Sequence, residues 1–254
     1  MRIAVTTAAL KTPGLVCAQV NPVHAGNREC MLAMAKRCHA WAPNIAVKLP
    51  ATAAGLDVLE ECVAEGMTVT ATVSFTVPQV IAIAERHRAG QRRARERGIE
   101  PGHCFAVIMI GRLDDYLRDV ARDARTSVSE ADICQAGLAV TKRAYAIYRE
   151  RRYDAVLLVA ALRGPYHLTE LAGADVVVSI HPSYQGPFVN EDFAREERIA
   201  DAIPLAVIDR LRQMPDFARA YELDEMAPEE FMTFGLTQRT LSQFEVAWKE
   251  LEHF

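Results

Sequence analysis

A parallel α/β barrel is the fold this 254-residue sequence predicts, and three observations predict it. Short β-branched runs alternate with longer amphipathic segments, the rhythm of strand then helix that builds a parallel sheet with helices outside. Runs such as Val156-Leu157-Leu158-Val159 are apolar on both faces, as strands buried on both sides require. No GxGxxG or GxxxxGK(S/T) loop occurs in the chain, which disfavours an open doubly wound sheet that cradles a nucleotide phosphate. A TIM-type (β/α)8 barrel, with its sites where strands end, is the better fit.

In chain order the strand candidates are 15–20, 44–48, 68–74, 104–110, 155–161 and 175–180. Helical patterns lie between them at about 26–40, 53–65, 77–97, 113–122, 129–151 and 165–173. After residue 180 the rhythm changes to a loop (HPSYQGPFVNED) and then to helices at about 192–201, 204–213 and 238–252. No linker splits the chain, so one domain is expected over 1–254, with an atypical N-terminus at 1–14 and a C-terminal helical extension at 188–254.

Half the residues are hydrophobic and 24% are charged, enough to bury a core. A net charge of −4 gives no general pull toward nucleic acid or an anionic membrane. The six cysteines form no CxxC pair and sit in or beside apolar runs, where a free thiol behaves as a small hydrophobe. His103-Cys104 and Cys38-His39 lack partners at ligand spacing, so no metal and no cofactor is expected. The N-terminus lacks a long apolar stretch, and no apolar run approaches the ~20 residues that span a bilayer. The expectation is a soluble, reduced, cytoplasmic protein that binds neither nucleic acid nor membrane.

Of the 29 basic residues only five are lysine: Lys11, Lys36, Lys48, Lys142 and Lys249. Four sit in polar or helical-surface contexts, whereas Lys48 closes the strand Asn44-Ile45-Ala46-Val47-Lys48. Ala46 and Lys48 share a face of that strand. Two readings stand on the residues alone. One is a strand-end lysine that snorkels to solvent. The other is an amine in an apolar tube, where desolvation favours the neutral, nucleophilic form that makes Schiff bases with ketones and aldehydes.

The residues around Lys48 resemble a known family. Lys48-Leu49-Pro50-Ala51-Thr52-Ala53-Ala54-Gly55-Leu56, preceded by Ile45-Ala46-Val47, is similar to the Schiff-base segment of the transaldolase and fructose-6-phosphate aldolase family. Glu65 to Phe75 resembles the family's next strand, Ile110-Gly111-Arg112-Leu113-Asp114 its G-R-(I/L)-D motif, and Val159-Ala160-Ala161-Leu162-Arg163 its A-S-F-R strand end. Phe234-Gly235-Leu236-Thr237 and Phe244 to Glu252 are similar to the C-terminus of classical transaldolases. The resemblance runs in order from about residue 15 to 252.

It implies a class I enzyme in which Lys48 attacks the ketone of a ketose phosphate. The Schiff base then draws electrons as C3–C4 breaks, and a dihydroxyacetone unit passes to another aldehyde or, in an aldolase, is protonated and released. Gln19 and Thr72 match the positions that hold a proton-shuttling water; an amide can position water but cannot act as a base. Arg112 and Arg163 match the pair that clamps the substrate phosphate. The serine beside each arginine in the family is replaced, by Val107 and Ala161, and Met109 and Thr70 replace an aromatic residue and an asparagine at candidate substrate-contact positions. The implied partners are a sugar-phosphate substrate and a second copy of the chain, as a homo-oligomer.

The N-terminus departs from the family's pattern. Two strands, the first with a catalytic aspartate, precede the one matching 15–20 in the family. Here Arg2-Ile3-Ala4-Val5-Thr6-Thr7 is a strand candidate, but the seven residues between Thr7 and Leu15 are too few for a parallel crossover of a dozen or more. The aspartate has no counterpart, which leaves three expectations open: the chain is an incomplete version of a longer protein, the barrel is incomplete at its N-terminal end or completed by another chain, or the chemistry has drifted. The alternatives to a transaldolase are a fructose-6-phosphate-type aldolase, a Schiff-base aldolase for another small carbonyl compound, and a catalytically impaired remnant that binds a sugar phosphate. Two further features stay open. Arg86 to Arg97 carries six arginines, read as a solvated helix end, and His181, after the last strand, is either a turn residue or a substrate contact.

Overall fold

The computed structural model describes residues 2–9, 14–190 and 196–252. Helix α1 (Arg2–Ala8) is followed by β1 (Val16–Gln19), α2 (Arg28–His39), β2 (Ile45–Pro50), α3 (Ala53–Ala64), β3 (Val69–Thr72) and α4 (Val77–Glu96). Then come β4 (Cys104–Met109), α5 (Ile110–Asp123), α6 (Glu130–Ile133), α7 (Ala136–Arg151), β5 (Val156–Ala160), α8 (Pro165–Thr169) and β6 (Val177–Val178). The chain ends in α9 (Pro182–Asn190), α10 (Leu205–Leu211), α11 (Pro215–Tyr221) and α12 (Gly235–Glu252), with 3-10 turns at Pro22–His24 and Pro228–Thr233.

All six described strands are parallel and lie in chain order, β1 to β6, in one sheet curled as part of a TIM-type barrel. Each strand returns beside its predecessor through helical connections, as parallel neighbours require. Residues such as Val47, Leu49, Val69, Ala106, Ile108 and Val159 point outward and are buried beneath the helices. The other face is the inner one. Because β1 and β6 are the two edges, inner-face side chains near them, Cys17, Val156 and Val177, are exposed.

All six predicted strands are present. Five expectations need correction. Residues 2–8 are a helix, not a strand. A helix of this kind satisfies its backbone groups internally, and the Asn44 amide donates to the carbonyl of Ala8 near its end. The predicted loop after β6 contains helix α9. The predicted helix at 192–201 lies partly outside the described residues, and 196–201 is not helical. Lys142, read as a surface lysine, is 9% exposed and donates to the Glu170 carboxylate and to the carbonyls of Arg198 and Asp201. The 129–151 pattern is two helices, α6 and α7, and α11 escaped the periodicity altogether.

Half of the arginine run is paired, while Arg92, Arg95 and Arg97 are exposed. Arg86 and Arg93 pair with Asp57, Glu60 and Glu61 of α3, and Arg88 donates to the carbonyl of Arg151. The cysteines divide, Cys38, Cys62 and Cys104 being buried while Cys17 and Cys30 are exposed.

One buried amide ties together the loops above the site. Gln79 Nε2 donates to the carbonyls of Val73 (3.0 Å) and Ala51 (3.4 Å), and Oε1 accepts from the Phe75 N–H (3.0 Å) and the Thr76 hydroxyl (3.1 Å). Val73 has φ 57°, a conformation a β-branched residue rarely adopts, so the surroundings must impose it. Gln79→Leu strands two carbonyls and an N–H in the core, at about 1–3 kcal/mol for each group left unsatisfied. Chemical denaturation is expected to show a loss of at least that size, with the parallel α/β circular dichroism spectrum retained below the transition.

Candidate active site

The parallel register sets the inner face. Gln19 pairs with Lys48 across β1 and β2, and Lys48 pairs with Thr70 across β2 and β3. Residues paired in this way point to the same side, so Gln19, Lys48 and Thr70 form one rung. One rung toward the C-terminal edge, Pro50 pairs with Thr72. The contact of Cys17 Sγ with Thr70 Oγ1 at 3.6 Å reports the shared face.

Lys48 is half-buried above the fully buried Ala46, and among the described residues its amine has no hydrogen bond or ion pair. Thr72 is 0% exposed, and its hydroxyl has no partner among the described residues. A buried hydroxyl left open in this way calls for a water or a ligand oxygen.

Local chemistry holds the strand end that carries Lys48. Thr52 caps α3, its hydroxyl accepting from the Gly55 N–H (3.1 Å) and donating to the carbonyl of Ala25 after β1 (2.6 Å). A side chain at Gly55 would lie 1.9 Å from the Pro50 carbonyl oxygen, so the strand and helix can approach only at glycine. The T-x-x-G spacing after Lys48 therefore joins two strand ends to one helix start.

Arg112 and Arg163 stand at the same C-terminal edge. Helix α5 begins at Ile110, directly after β4, and Arg163 follows β5. A Cβ at Gly111 would meet the Ala161 carbonyl at 2.4 Å and Arg163 Cγ at 2.5 Å, so that glycine permits the two arginines to meet. Both line a pocket of about 260 Å³ with Asp115, Tyr116, Leu236, Arg239 and Gln243. Arg163 donates through Nε (2.8 Å) and Nη2 (2.7 Å) to one oxygen of Asp115. Arg112 donates to Gln243 Oε1 at 2.7 Å and lies 5.4 Å from the centre of the Phe244 ring. Burial pulls the Arg112 guanidinium below its ordinary value, and the positive charges of Arg163 and Arg239 pull the same way.

A buried dyad supports this pocket from beneath. His167 Nε2 lies 2.9 Å from Asp114 Oδ2, both side chains being wholly buried, and Asp114 Oδ1 accepts from the Gly137 N–H at 2.8 Å. His167 Nδ1 accepts from the backbone N–H of Arg163 at 3.1 Å, which makes Nε2 the protonated nitrogen facing Asp114. The dyad thus links the helix that carries Arg112 to the loop that carries Arg163.

Other predicted residues fall less centrally. Met109 ends β4, is 9% exposed, and donates its N–H to the Ser74 carbonyl. His181 is exposed after β6, with Nδ1 2.8 Å from the Ser183 hydroxyl, and does not line the arginine pocket. A larger cleft of about 410 Å³ lies at the opposite end of β5, around Tyr145, Arg152 and Asp154, and holds none of the predicted residues. Among the described residues no group of three His, Cys, Asp or Glu side chains is placed to hold a metal, and no helix is long and apolar enough to cross a membrane. The sequence reading missed His167, Arg239 and Gln243. The nearest signals were the helical pattern at 238–252 and the likeness of 234–237 and 244–252 to transaldolases, neither of which singled out Arg239 or Gln243.

Comparison with known proteins identifies the family. Residues 2–254 match the family model described as transaldolase/fructose-6-phosphate aldolase. The chain belongs to that family. It is 32% identical over 154 residues to the transaldolase of Mycolicibacterium paratuberculosis, a match covering 56% of this chain and 41% of that protein. It is 32% identical over 142 residues to transaldolase 1 of Streptomyces avermitilis, covering 54% and 37%. It is 27% identical over 152 residues to a probable transaldolase of Dehalococcoides mccartyi, covering 60% and 56%. The matched stretch spans between 37 and 56% of these relatives' lengths.

The dyad has a measurable signature. Burial pushes the Asp114 carboxyl above its ordinary value, and His167 and the Gly137 N–H hold it down in part. His167→Ala removes the main offset, so breaking the pair is expected to cost about 3–5 kcal/mol at neutral pH. An acid whose folded pKa is raised weighs against folding only when ionised. The deficit relative to the parent is therefore expected to shrink as pH falls from 7 toward the ordinary carboxylate range, which urea titrations at several pH values would read.

Proposed function

We propose that this chain is a transaldolase-like class I enzyme that binds a ketose phosphate as a Schiff base on Lys48. The observation that carries this reading is the rung Gln19–Lys48–Thr70, with an uncommitted amine at its centre and an arginine pocket at the same edge of the sheet.

The Lys48 amine attacks the ketone carbon, water departs, and the iminium that remains is the electron sink. The C3–C4 bond breaks, its electron pair enters the iminium to form an enamine, and the C4 hydroxyl loses its proton as the aldose phosphate leaves. The enamine then attacks an acceptor aldehyde, whose oxygen takes up a proton, and water hydrolyses the re-formed iminium to release the new ketose phosphate and free the Lys48 amine. Gln19 and the open hydroxyl of Thr72 are suited to hold the water that carries the protons. Arg112 and Arg163 neutralise the substrate phosphate. Thr70 and Met109 line the approach to the carbon chain, while His181 stands outside the arginine pocket and receives no role.

One observation favours a second reading, a sugar-phosphate binder that does not turn over. None of the described inner-face strand residues, from Cys17 on β1 to Val177 on β6, is a carboxylate that could take the C4 hydroxyl proton. Trapping and turnover separate the two.

Borohydride reduction with dihydroxyacetone is expected to add one carbon skeleton to Lys48, located by peptide mass spectrometry, and Lys48→Met abolishes it. Absence of the adduct from a folded sample would remove the Schiff-base reading. Adduct without release of an aldose phosphate from fructose 6-phosphate selects the binder.

A further inference from the structure

Helix α12 reaches the arginine pocket from the far end of the sequence. It packs against α5 and against both 3-10 turns, one of which follows β1, so it crosses the C-terminal edge of the sheet. Its start is seated by Gly235, where a Cβ would lie 2.3 Å from the Tyr116 hydroxyl of α5. Positions 235, 239 and 243 recur at helical spacing and lie on one face. Arg239 and Gln243 accordingly both line the pocket floored by Arg112 and Arg163.

The charges do not balance. Three guanidinium groups line the pocket against one lining carboxylate, Asp115. Asp115 is already divided, one oxygen taking the Nε and Nη2 of Arg163 and the other accepting from Arg118 at 3.0 Å. Arg112 has an amide for a partner instead of an acid. Arg239 reaches outward to Asp119 at 2.7 Å, a pair in which both side chains are well exposed and easily exchanged for a stronger anion.

We infer that α12 is part of the substrate site: Arg239 is a third phosphate-binding guanidinium, and Gln243 holds Arg112 so that its remaining donors face the same anion. The ligand group is a phosphate monoester dianion, whose charge of about −1.5 to −2 suits three cations opposed by one carboxylate. Asp115 is the pocket's internal counter-ion, which an incoming phosphate displaces from the Arg163 fork. The inference deepens the proposed function and rests on it for the rest of the substrate.

The test compares the parent with Arg239→Gln, Asp115→Asn and Arg92→Gln, the last removing an exposed arginine of α4 that does not line the pocket. Inorganic phosphate is titrated calorimetrically at fixed ionic strength. Arg239→Gln is expected to bind about tenfold more weakly and Asp115→Asn more tightly, whereas Arg92→Gln matches the parent. In borohydride trapping, Arg239→Gln is expected to need about tenfold more fructose 6-phosphate for half-labelling of Lys48, with labelling by dihydroxyacetone unchanged. Parent-like phosphate binding by Arg239→Gln, or an equal loss in Arg92→Gln, overturns the inference. Arg239-dependent phosphate binding in a protein that dihydroxyacetone never labels upholds the inference and overturns the Schiff-base function instead.

Discussion

In-register parallel pairing is the constraint on which the rest of this molecule depends. Because side chains alternate along a strand, a slip of one residue between β1 and β2 would send Gln19 outward into the helices while Lys48 stayed inside. The outer face resists such a slip, since Val47, Leu49, Val69 and Ala106 are fully or almost fully buried beneath the helices and a polar replacement there would be stranded. The apolar half of each strand therefore enforces the geometry of the polar half. The rung Gln19–Lys48–Thr70 is a consequence of packing on the opposite side of the sheet.

The strand ends convert that register into a site. Gly55, Gly111 and Gly235 each mark a place where a backbone or side chain comes too close for a Cβ, and each closes an approach between separate elements. Gln79 and Thr52 then satisfy the backbone groups that such sharp turns leave open. Three arginines in one pocket oppose this order. The downward shift of Arg112 reflects its burial first and the neighbouring charges of Arg163 and Arg239 second, and Asp115 and Asp119 of α5 offset those charges by pairing with Arg163 and Arg239. Arrangements of that kind, strained without an anion, are expected where binding rather than stability has shaped the residues.

Local pattern carried much of this, and distance in the chain limited the remainder. The six strands were readable because each is an apolar run between helical periods, and Lys48 because a charge ending such a run is conspicuous. The segment at 2–7 misled for the same reason, since Ile3, Val5 and Thr6 are β-branched residues whose strand preference gave way to a short helix docked against β1. Lys142 looked like a surface lysine because its partners, Glu170 and the carbonyls of Arg198 and Asp201, lie 28 to 59 residues away. Gln243 meets Arg112 across 131 residues, and no periodicity within α12 records that meeting. The motif around Arg112 predicted one half of the pocket; the fold had to supply the other half.

The open inner face bears on the chemistry more than any single residue does. An iminium on Lys48 is favoured by a dry surrounding, because water hydrolyses it and screens the charge that draws electrons from C3–C4. Here the lysine is half-buried, and Cys17 and Val177 on the two edge strands and Val156 beside one of them are exposed. A substrate anchored by phosphate at the α5 and α12 end would cover the rung with its own carbon chain, so exclusion of water would come with binding instead of preceding it. On that account the arginines do more than hold the ligand. Under the proposed function, by fixing one end of an extended sugar phosphate they would convert the attack by Lys48 on its ketone into an intramolecular step, the kind of positioning through which remote binding lowers a barrier.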